Sequence, residues 1–282
     1  MMERFEKLSR LYVSRLMRPA WDTCGDVEHD EWTSLRLFLL GYAFERQGRS
    51  PDYAPAATDA IDEVRGKSLT EDMALEVWSR FAKKLGNRGL NHANNPLCPR
   101  GVRYVRKYRG RRVESTTRKI SAVELGAQSR VPLVAWAHAK IVGDGLRKAH
   151  KEVRRIGGIS DKIASFFLRD VAVRYDLAPK NDRHLLQPID TWVKFVVRRL
   201  NGNEEMDQAS CARFIVDNAQ LPERANQGIW YFCAVVAGSS RYVVRRCLED
   251  IERYNTVLDR HLSSLEAGTT AVRDFNEENS EQ

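Results

Sequence analysis

The chain has 282 residues, of which 43% are hydrophobic and 30% charged, a balance that favours a globular protein over a disordered one. Its net charge of +8 favours a polyanionic partner without identifying it. No apolar stretch is long enough to span a bilayer, no signal peptide is evident, and five widely spaced cysteines predict buried thiols. We therefore expect an intracellular protein that does not enter a membrane.

The first third of the chain carries apolar residues at helical spacing, which predicts three helices. Asp30 or Glu31 is expected near the start of the second helix, and the third is expected to end at 86–89. The apolar positions of the three predicted helices are Phe5, Leu8, Tyr12 and Leu16; Trp32, Leu35, Phe38, Leu39 and Tyr42; and Met73, Val77, Phe81 and Leu85.

A polar, basic segment follows at 91–125, and we expect part of it to hold the phosphate backbone of a nucleic acid. Between Arg100 and Lys119 it contains nine basic residues and one acid, Glu114, although a merely solvated charged loop is the alternative. Local alternation predicts a short β-hairpin around 102–114 that turns at Gly110. Tyr104 and Tyr108 are expected either to stack on bases or to pack locally. The cations assigned to phosphate contacts are Arg103, Arg106, Lys107, Arg109, Arg111 and Arg112.

Helical spacing returns in the second half of the chain. Helices are predicted around 134–141, from Leu146 to Val153, and from Asp161 to about Tyr175. Further helical segments are expected after Asp190, at 192–197, 211–219, 228–237 and 242–265, before a disordered tail at 269–282. The predicted fold class is therefore all-α, with the hairpin as its one β element.

The run 157–160, between two of these helices, predicts a tight turn that binds a DNA phosphate. Gly157 and Gly158 tolerate positive φ and close approach of a ligand, and a helix N-terminus at Asp161 would add its positive dipole end. Three cations immediately before the turn would contact the backbone: Lys151, Arg154 and Arg155. An ordinary turn between helices is the alternative interpretation.

Lys162 and Asp190 are the candidate catalytic residues. Taken singly, a lysine in a first helical turn is usually a surface residue, and an aspartate after Pro-Ile is usually a helix cap. In this order and spacing, however, residues 155–193 resemble the helix-hairpin-helix DNA glycosylase superfamily, which includes endonuclease III and the 8-oxoguanine glycosylases. The family hairpin reads roughly Leu-Pro-Gly-Val-Gly-x-Lys-x-Ala, and its acidic signature reads (Pro)-(Val/Ile)-Asp-(Thr/Val).

The resemblance assigns roles to individual residues. Gly158 takes the first glycine of the hairpin, Ser160 stands at the second, and Lys162 falls on the catalytic lysine of the bifunctional members. Asp190 falls on the catalytic aspartate. Gly157 replaces the usual proline, and together with Ser160 it is a departure from the family pattern.

The resemblance implies an enzyme, namely a DNA glycosylase that flips a damaged or modified base out of the duplex, excises it and has associated AP-lyase activity. It implies two helical subdomains flanking a cleft within a single unit, 1–282, with a catalytic core at 146–200. Double-stranded DNA is the expected partner of a monomer in the bacterial or archaeal cytoplasm or nucleoid, without cofactor or metal, since the cysteine run of an iron–sulfur cluster is absent. The candidates for the base pocket are Trp32, Phe38, Trp136 and Trp230.

Other functions stay open at this level. An oxidised purine such as 8-oxoguanine is the default substrate, but the basic segment also fits a monofunctional enzyme that removes a hypermodified, for example viral, base in antiviral defence. An enzyme of the same fold in which Asp190 activates water is a further alternative. A non-catalytic DNA-binding module would need only the turn and the cations.

Overall fold

A computed structural model describes residues 1–44, 52–66, 68–86 and 92–267. This part of the chain is mostly helical with one small two-stranded sheet, as the sequence predicts. The tail predicted at 269–282 and part of the helix stop predicted at 86–89 lie outside the described residues. Within the described ranges, every helix is too short or too polar to cross a membrane.

The α-helices and β-strands are named here in chain order. They are α1 (Met2–Tyr12), α2 (Arg18–Cys24), α3 (Glu31–Phe38), α4 (Tyr53–Val64), α5 (Met73–Lys84), β1 (Arg103–Tyr108), β2 (Arg111–Thr116), α6 (Ala122–Ser129), α7 (Leu133–Val142), α8 (Leu146–Val153), α9 (Asp161–Arg174), α10 (Thr191–Asn201), α11 (Gln208–Asn218), α12 (Pro222–Tyr231), α13 (Arg241–Glu249) and α14 (Ile251–Glu266). Three π-helical stretches adjoin them at Val13–Met17, Leu39–Phe44 and Phe232–Val236.

The chain divides into two compact units. The central unit comprises Met17–Pro188, and the terminal unit combines Met1–Leu16 with Ile189–Gln282. Lys162 belongs to the central unit, whereas Asp190 is the second residue of the C-terminal part of the terminal unit.

The core of the central unit is built around α9. Every residue of this helix from Ile163 to Val173 is buried, which is typical of a helix enclosed by others. It packs against α7 and α8, and the ring of Phe167 contacts Phe38 at a centroid distance of 5.2 Å and Tyr42 at 5.4 Å. The helix that carries Lys162 is therefore fixed on several sides.

The core of the terminal unit depends on close packing of α1 against α12. At the crossing, a Cβ on Gly228 would lie 1.7 Å from the main-chain oxygen of Phe5, so only glycine fits there. Phe5 also forms an aromatic cluster with Phe232 and Tyr254, at centroid distances of 5.9 and 6.0 Å. The first residues of the chain thus contribute directly to a core made mostly by its last third.

The first predicted helix differs from the structure at Leu16. Helical spacing places Leu16 on the buried face one turn after Tyr12, but its side chain is 37% exposed and Met17 is buried instead. The cause is the π-helical stretch Val13–Met17, which has one more residue per turn and moves the buried position from the fourth to the fifth residue.

Other helices also differ from the prediction, and α2, α4 and α6 have no counterpart among the predicted helices. The single segment expected at 242–265 is two helices, because Asp250 adopts an extended conformation that ends α13 and caps α14. Helix α4 was not predicted, since its buried face is mainly three alanines, which give a weak hydrophobic signal. The β-hairpin predicted around 102–114 is confirmed as β1 and β2, with its turn at Arg109 and Gly110.

Candidate active site and nucleic-acid interface

The turn between α8 and α9 contains two glycines that are needed for different reasons. A Cβ on Gly157 would lie 2.5 Å from the main-chain oxygen of Asn95, closer than packed atoms approach. Gly158 has a φ of +75°, in the left-handed region that other residues rarely adopt. Ser160 has an ordinary φ of −92° and caps α9 by accepting a hydrogen bond from the N–H of Ile163.

The main chain of the turn is partly engaged inside the central unit. The N–H of Gly157 donates to the carbonyl of Ile120 at 3.0 Å, and the N–H of Ile120 donates to the carbonyl of Arg155 at 3.2 Å. The N–H groups of Asp161 and Lys162 have no acceptor among the described residues of this unit. Because a helix N-terminus is its positive end, the anion-binding capacity of the turn lies at the start of α9.

Lys162 is the second residue of α9, and its side chain is half-buried. Among the described residues of the central unit, none forms a hydrogen bond or an ion pair with its amine. Asp161, the acid beside it in sequence, pairs with Arg154 instead, with 3.0 Å between Nε and Oδ1. An amine held in an ion pair is poorly placed to attack a ligand, and Lys162 is not held in this way within its unit.

A buried ion pair lies about two turns further along α9. Arg169 and Asp170 are fully buried, and the guanidinium donates to Oδ1 of Asp170 at 2.9 and 2.7 Å. The hydroxyl of Tyr42 donates to Oδ2 at 3.2 Å and accepts from the indole N–H of Trp21 at 3.1 Å. Since buried charges are costly to separate from their partners, this network fixes the position of α9.

This network was not among the sequence-based predictions, although the sequence contains a signal for it. Arg169 and Asp170 are adjacent charges inside a stretch of α9 that is otherwise almost entirely apolar. Charged residues at fully buried positions are rare unless they are paired, so such a pair predicts either a structural network or a site.

His150 connects α8 to α9. Its side chain is buried, and Nε2 lies 3.2 Å from the hydroxyl oxygen of Ser165. Burial lowers the pKa of His150 below its ordinary value, and the nearby Asp161 carboxylate opposes that shift. The helix that precedes the turn is therefore held against α9 by a histidine that favours its neutral form.

Asp190 is the N-cap of α10 in the terminal unit. Its Oδ1 accepts hydrogen bonds from the N–H groups of Trp192 at 2.9 Å and Val193 at 2.8 Å. Its other oxygen, Oδ2, has no hydrogen-bond donor among the described residues of this unit. The side chain is half-buried, so one oxygen fixes the carboxylate while the other stays available to a ligand.

The negative charge of Asp190 has an effect on its surroundings. Cys233 is fully buried in the π-helical stretch Phe232–Val236. Burial, followed by the Asp190 carboxylate, raises the pKa of the Cys233 thiol well above its ordinary value. Cys233 is therefore an uncharged core residue and not a nucleophile.

The basic segment forms a two-stranded ribbon, defined here as β1, β2 and their connecting turn. None of its strand residues is buried, and the six cations assigned to phosphate contacts are all exposed. Within the described part of the chain, none of those six forms an ion pair with an acid. Tyr104 stacks on His92 with centroids 5.2 Å apart and planes 5° from parallel, whereas Tyr108 is 55% exposed.

The three cations before the turn differ from one another. Arg154 pairs with Asp161, and Arg155 forms a close ion pair with Glu152, whereas Lys151 is exposed and has no ion-pair partner among the described residues. Two of these three positive charges are thus already balanced within the protein.

The four aromatic candidates for the base pocket are mostly in the core. Trp32 and Phe38 are 2% and 1% exposed, and Trp136 is also buried. Trp230 is half-buried and its ring contacts Tyr12 edge to face. The indole N–H of Trp32 is buried without an acceptor among the described residues, which distinguishes it from an ordinary core tryptophan.

No protein-family model, curated protein or solved structure matches this chain. In the part of the chain that the structure describes, no three His, Cys, Asp or Glu side chains are grouped so as to hold a metal ion. Four of the five cysteines are buried and all five are free thiols.

Proposed function

We propose that this protein is a DNA glycosylase in which Lys162 is the nucleophile and which also has AP-lyase activity. The observation that carries the proposal is the state of Lys162, which is half-buried, without a partner in its own unit, at the start of a rigidly held helix. The resemblance of residues 155–193 to the helix-hairpin-helix glycosylases supplies the reaction. Double-stranded DNA is the proposed partner.

The departures from the family hairpin are compatible with this proposal. A proline at 157 would lack the N–H that donates to Ile120 and would bring a Cβ against Asn95, so glycine suits this packing better. Ser160 has a backbone conformation open to any residue, and it caps α9 where the family has its second glycine. Helices α8 and α9 would then be the two helices of the family motif.

The proposed reaction begins with a flipped nucleotide, because the glycosidic bond cannot be reached inside a stacked duplex. Nζ of Lys162 would attack C1′ as the bond from C1′ to the base breaks and the base leaves with the bonding electrons and takes up a proton. The amine then loses a proton, and opening of the sugar ring gives an iminium between Lys162 and C1′. Removal of a proton from C2′ would expel the 3′ phosphate by β-elimination.

Asp190 would act on the charge that develops during this reaction. Breaking the glycosidic bond builds positive charge on the sugar, and a fixed carboxylate stabilises it. Oδ1 is held by the two N–H groups of α10, whereas Oδ2 accepts no hydrogen bond from the described residues of its unit. The role proposed for Asp190 is thus electrostatic, and the nucleophile is the amine.

Borohydride trapping tests the proposal directly. The iminium is reduced to a stable amine, so we expect wild-type protein to form a covalent adduct with a duplex that carries an abasic site. Lys162→Ala should form none, because no other amine replaces it. Lys148→Ala removes an exposed lysine from α8 and is the matched control, which should trap as wild type does.

The variant Asp190→Asn separates the chemical role of Asp190 from its role as a cap. Asparagine caps a helix about as well as aspartate, so α10 should persist while the negative charge is lost. Asp250 caps α14 with the same geometry, accepting from Glu252 and Arg253, and Asp250→Asn is the matched control. We expect the rate of base release to fall at least about 100-fold in Asp190→Asn, which is the usual effect of losing one electrostatic contact to the transition state. The rate should be unchanged in Asp250→Asn.

Each alternative has its own outcome in these experiments. Base release that depends on Asp190 without any adduct would replace the nucleophilic lysine with an activated water. Salt-sensitive binding without adduct or base release, on a panel that contains the true substrate, would replace the enzyme with a DNA-binding module. Trapping that persists in Lys162→Ala would refute the assignment of the nucleophile.

A panel of modified duplexes identifies the substrate class. Duplexes with 8-oxoguanine and with a bulky, hypermodified cytosine distinguish repair of oxidised DNA from defence against modified viral DNA. Excision of 8-oxoguanine alone supports repair, whereas excision of the hypermodified base alone supports defence.

A further inference from the structure

The ribbon formed by β1 and β2 differs from a hairpin that lies flat on a protein surface. Its pairing register places Arg103, Lys107 and Arg112 on one face, together with Val105. Arg106 and Arg111 lie on the opposite face, between Tyr104 and Tyr108 in β1 and beside Val113 in β2. Both faces therefore carry cations, and neither face is buried.

At the base of the ribbon, main-chain pairing continues beyond the two strands. The N–H of Gly101 donates to the carbonyl of Thr117, and the N–H of Thr117 donates to the carbonyl of Val102, both at 3.0 Å. Tyr104, near the start of β1, stacks on His92, which in turn contacts Trp78 of α5 at a centroid distance of 5.2 Å. An isolated two-stranded hairpin is only marginally stable, so this anchoring supports the exposed end.

The tip of the ribbon carries Arg109 in a backbone conformation that residues other than glycine rarely adopt. Arg109 has a φ of +48° and Gly110 a φ of +80°, so the turn requires the left-handed conformation at both positions. Asn-Gly is the preferred pair for such a turn, whereas arginine is disfavoured at the first position. Tyr108 lies beside it with Arg106 and Arg109 at 5.7 and 5.6 Å from its ring centre.

Cations outnumber acids on the faces, the tip and the base of the ribbon, where Glu114 is the one acid of the two strands. A groove of 660 Å³ runs along β2, and its lining includes Arg106, Arg118 and Lys119 together with Glu114. Thr116 and Ser115 line it as well and would add hydroxyl donors. A polyanion that contacts both faces and the tip of the ribbon would meet cations at each of these surfaces.

We infer that the ribbon enters the major groove of duplex DNA, so that its two faces meet phosphates on the two walls of that groove. A ribbon that lay across the outside of the duplex would need cations on one face alone. The major groove, about 12 Å wide, admits a two-stranded ribbon, whereas the minor groove, about 6 Å wide, is narrower than the ribbon with its side chains. This inference rests on the proposed function for its DNA partner, but it makes a separate prediction.

Two double variants distinguish insertion from flat binding. Lys107→Gln with Arg112→Gln removes two charges from one face, and Arg106→Gln with Arg111→Gln removes two from the other. The plot of log affinity against log salt has a negative slope, and each phosphate contact that is removed reduces the magnitude of that slope by about 0.9. Insertion therefore predicts that the magnitude decreases by about 1.8 for either pair. The measurement is fluorescence anisotropy with a fluorescent unmodified duplex at several salt concentrations.

A third double variant controls for net charge. Lys83→Gln with Arg213→Gln also removes two exposed cations, but neither belongs to the ribbon or to the turn before α9. Its slope should remain that of wild type, and thermal melts should confirm that all three variants fold. A decrease for one face only, for neither face, or equally for the control pair would overturn insertion.

Methylation of guanine N7 by dimethyl sulfate reports the groove, since N7 lies in the major groove. On a duplex with one tetrahydrofuran abasic analogue, we expect guanines near the analogue to be protected by wild type and not by either face variant. Absence of protection with wild type would overturn the choice of groove.

The outcomes for the ribbon and for the enzyme are independent. Normal slopes in both face variants together with a Lys162-dependent adduct would reject the ribbon inference and leave the glycosylase in place. Reduced slopes in both face variants with neither adduct nor base release, on a panel that contains the true substrate, would reject the enzyme and leave a DNA-binding ribbon.

Discussion

The glycines and caps around α9 illustrate how much a single residue decides in this protein. Gly157 is required by the approach of the Asn95 carbonyl and Gly158 by its positive φ. In the sequence, both glycines predict a tight turn for the same reason, since glycine tolerates positive φ and close approach of a ligand. The contact with Asn95 joins residues more than 60 positions apart, and local sequence does not contain it.

At the same scale, His150 makes the stability of the central unit depend on pH. Because burial lowers its pKa in the folded state, the unfolded chain takes up a proton first, as the pH falls through about 6.5. Above that pH the imidazole is neutral in both states, so the folded state has its full stability. Stability is lost as the pH falls from about 6.5 toward the lower pKa of the folded state. Asp161 opposes the shift, whereas Arg154 and His184 strengthen it.

We expect the free energy of unfolding to fall between pH 7.5 and pH 5.5, with a slope of up to about 1.4 kcal/mol per pH unit for this one proton. Urea unfolding of wild type and His150→Gln at both pH values measures it. Glutamine can still hydrogen-bond to Ser165 but does not titrate, so the decrease should be smaller in the variant. An equal decrease in both proteins would assign the pH dependence to other groups.

At the scale of elements, one helix crossing accounts for much of the terminal unit. In the sequence Gly228 is only one residue of a predicted helical segment, whereas the structure explains why this position requires glycine. Helices α1 and α12 approach so closely there that a methyl group would overlap the main chain of Phe5. Ser9 also donates to Oε1 of Gln227 at 2.7 Å across the same buried contact.

Gly228→Ala should therefore destabilise the protein by about 1–3 kcal/mol or more, as overpacking against a backbone that cannot move aside does. The matched control is Gly41→Ala, since among the described residues a Cβ on that helical glycine would meet the side chain of Leu37 at an ordinary 3.6 Å. Alanine is the better helix former, so the control should be neutral or slightly stabilising. Thermal unfolding compares the two, and equal effects would refute the crossing as the cause.

At the scale of the whole molecule, the terminal unit is assembled from both ends of the chain. Residues Met1–Leu16 supply α1, and Ile189–Gln282 supply the helices that enclose it. Phe5 is fully buried among aromatic rings from the C-terminal part. The first helix is thus part of the core that carries Asp190.

Phe5→Ala should cost about 3–5 kcal/mol, the usual range for removing a buried aromatic ring. Hydrogen exchange should accelerate in the π-helical stretch Phe232–Val236 and in α14, because Phe232 and Tyr254 lose their contacts with that ring. Leu75→Ala removes a leucine that is 60% exposed on α5 and should leave exchange and stability nearly unchanged. Unaltered exchange in Phe232–Val236 and α14 after Phe5→Ala would contradict the proposed role of the N-terminal helix.

The sequence alone determined the local features. Helical spacing, the caps at Asp30 and Asp190, the two glycines before α9 and the hairpin turn all depend on neighbouring residues, so short-range patterns predict them. The sequence alone also shows the excess of cations between Arg100 and Lys119 and the spacing of 28 residues between Lys162 and Asp190.

Only the tertiary structure decided which of these residues are buried or paired within the protein and which are exposed to a ligand. It joined α1 to α12, moved the buried position from Leu16 to Met17, and placed Arg169 and Asp170 in the core. It also placed Trp32 and Phe38 in the interior. The reason is physical: burial and long-range contacts depend on segments far apart in the chain, whereas caps, turns and periodicity are properties of a few adjacent residues.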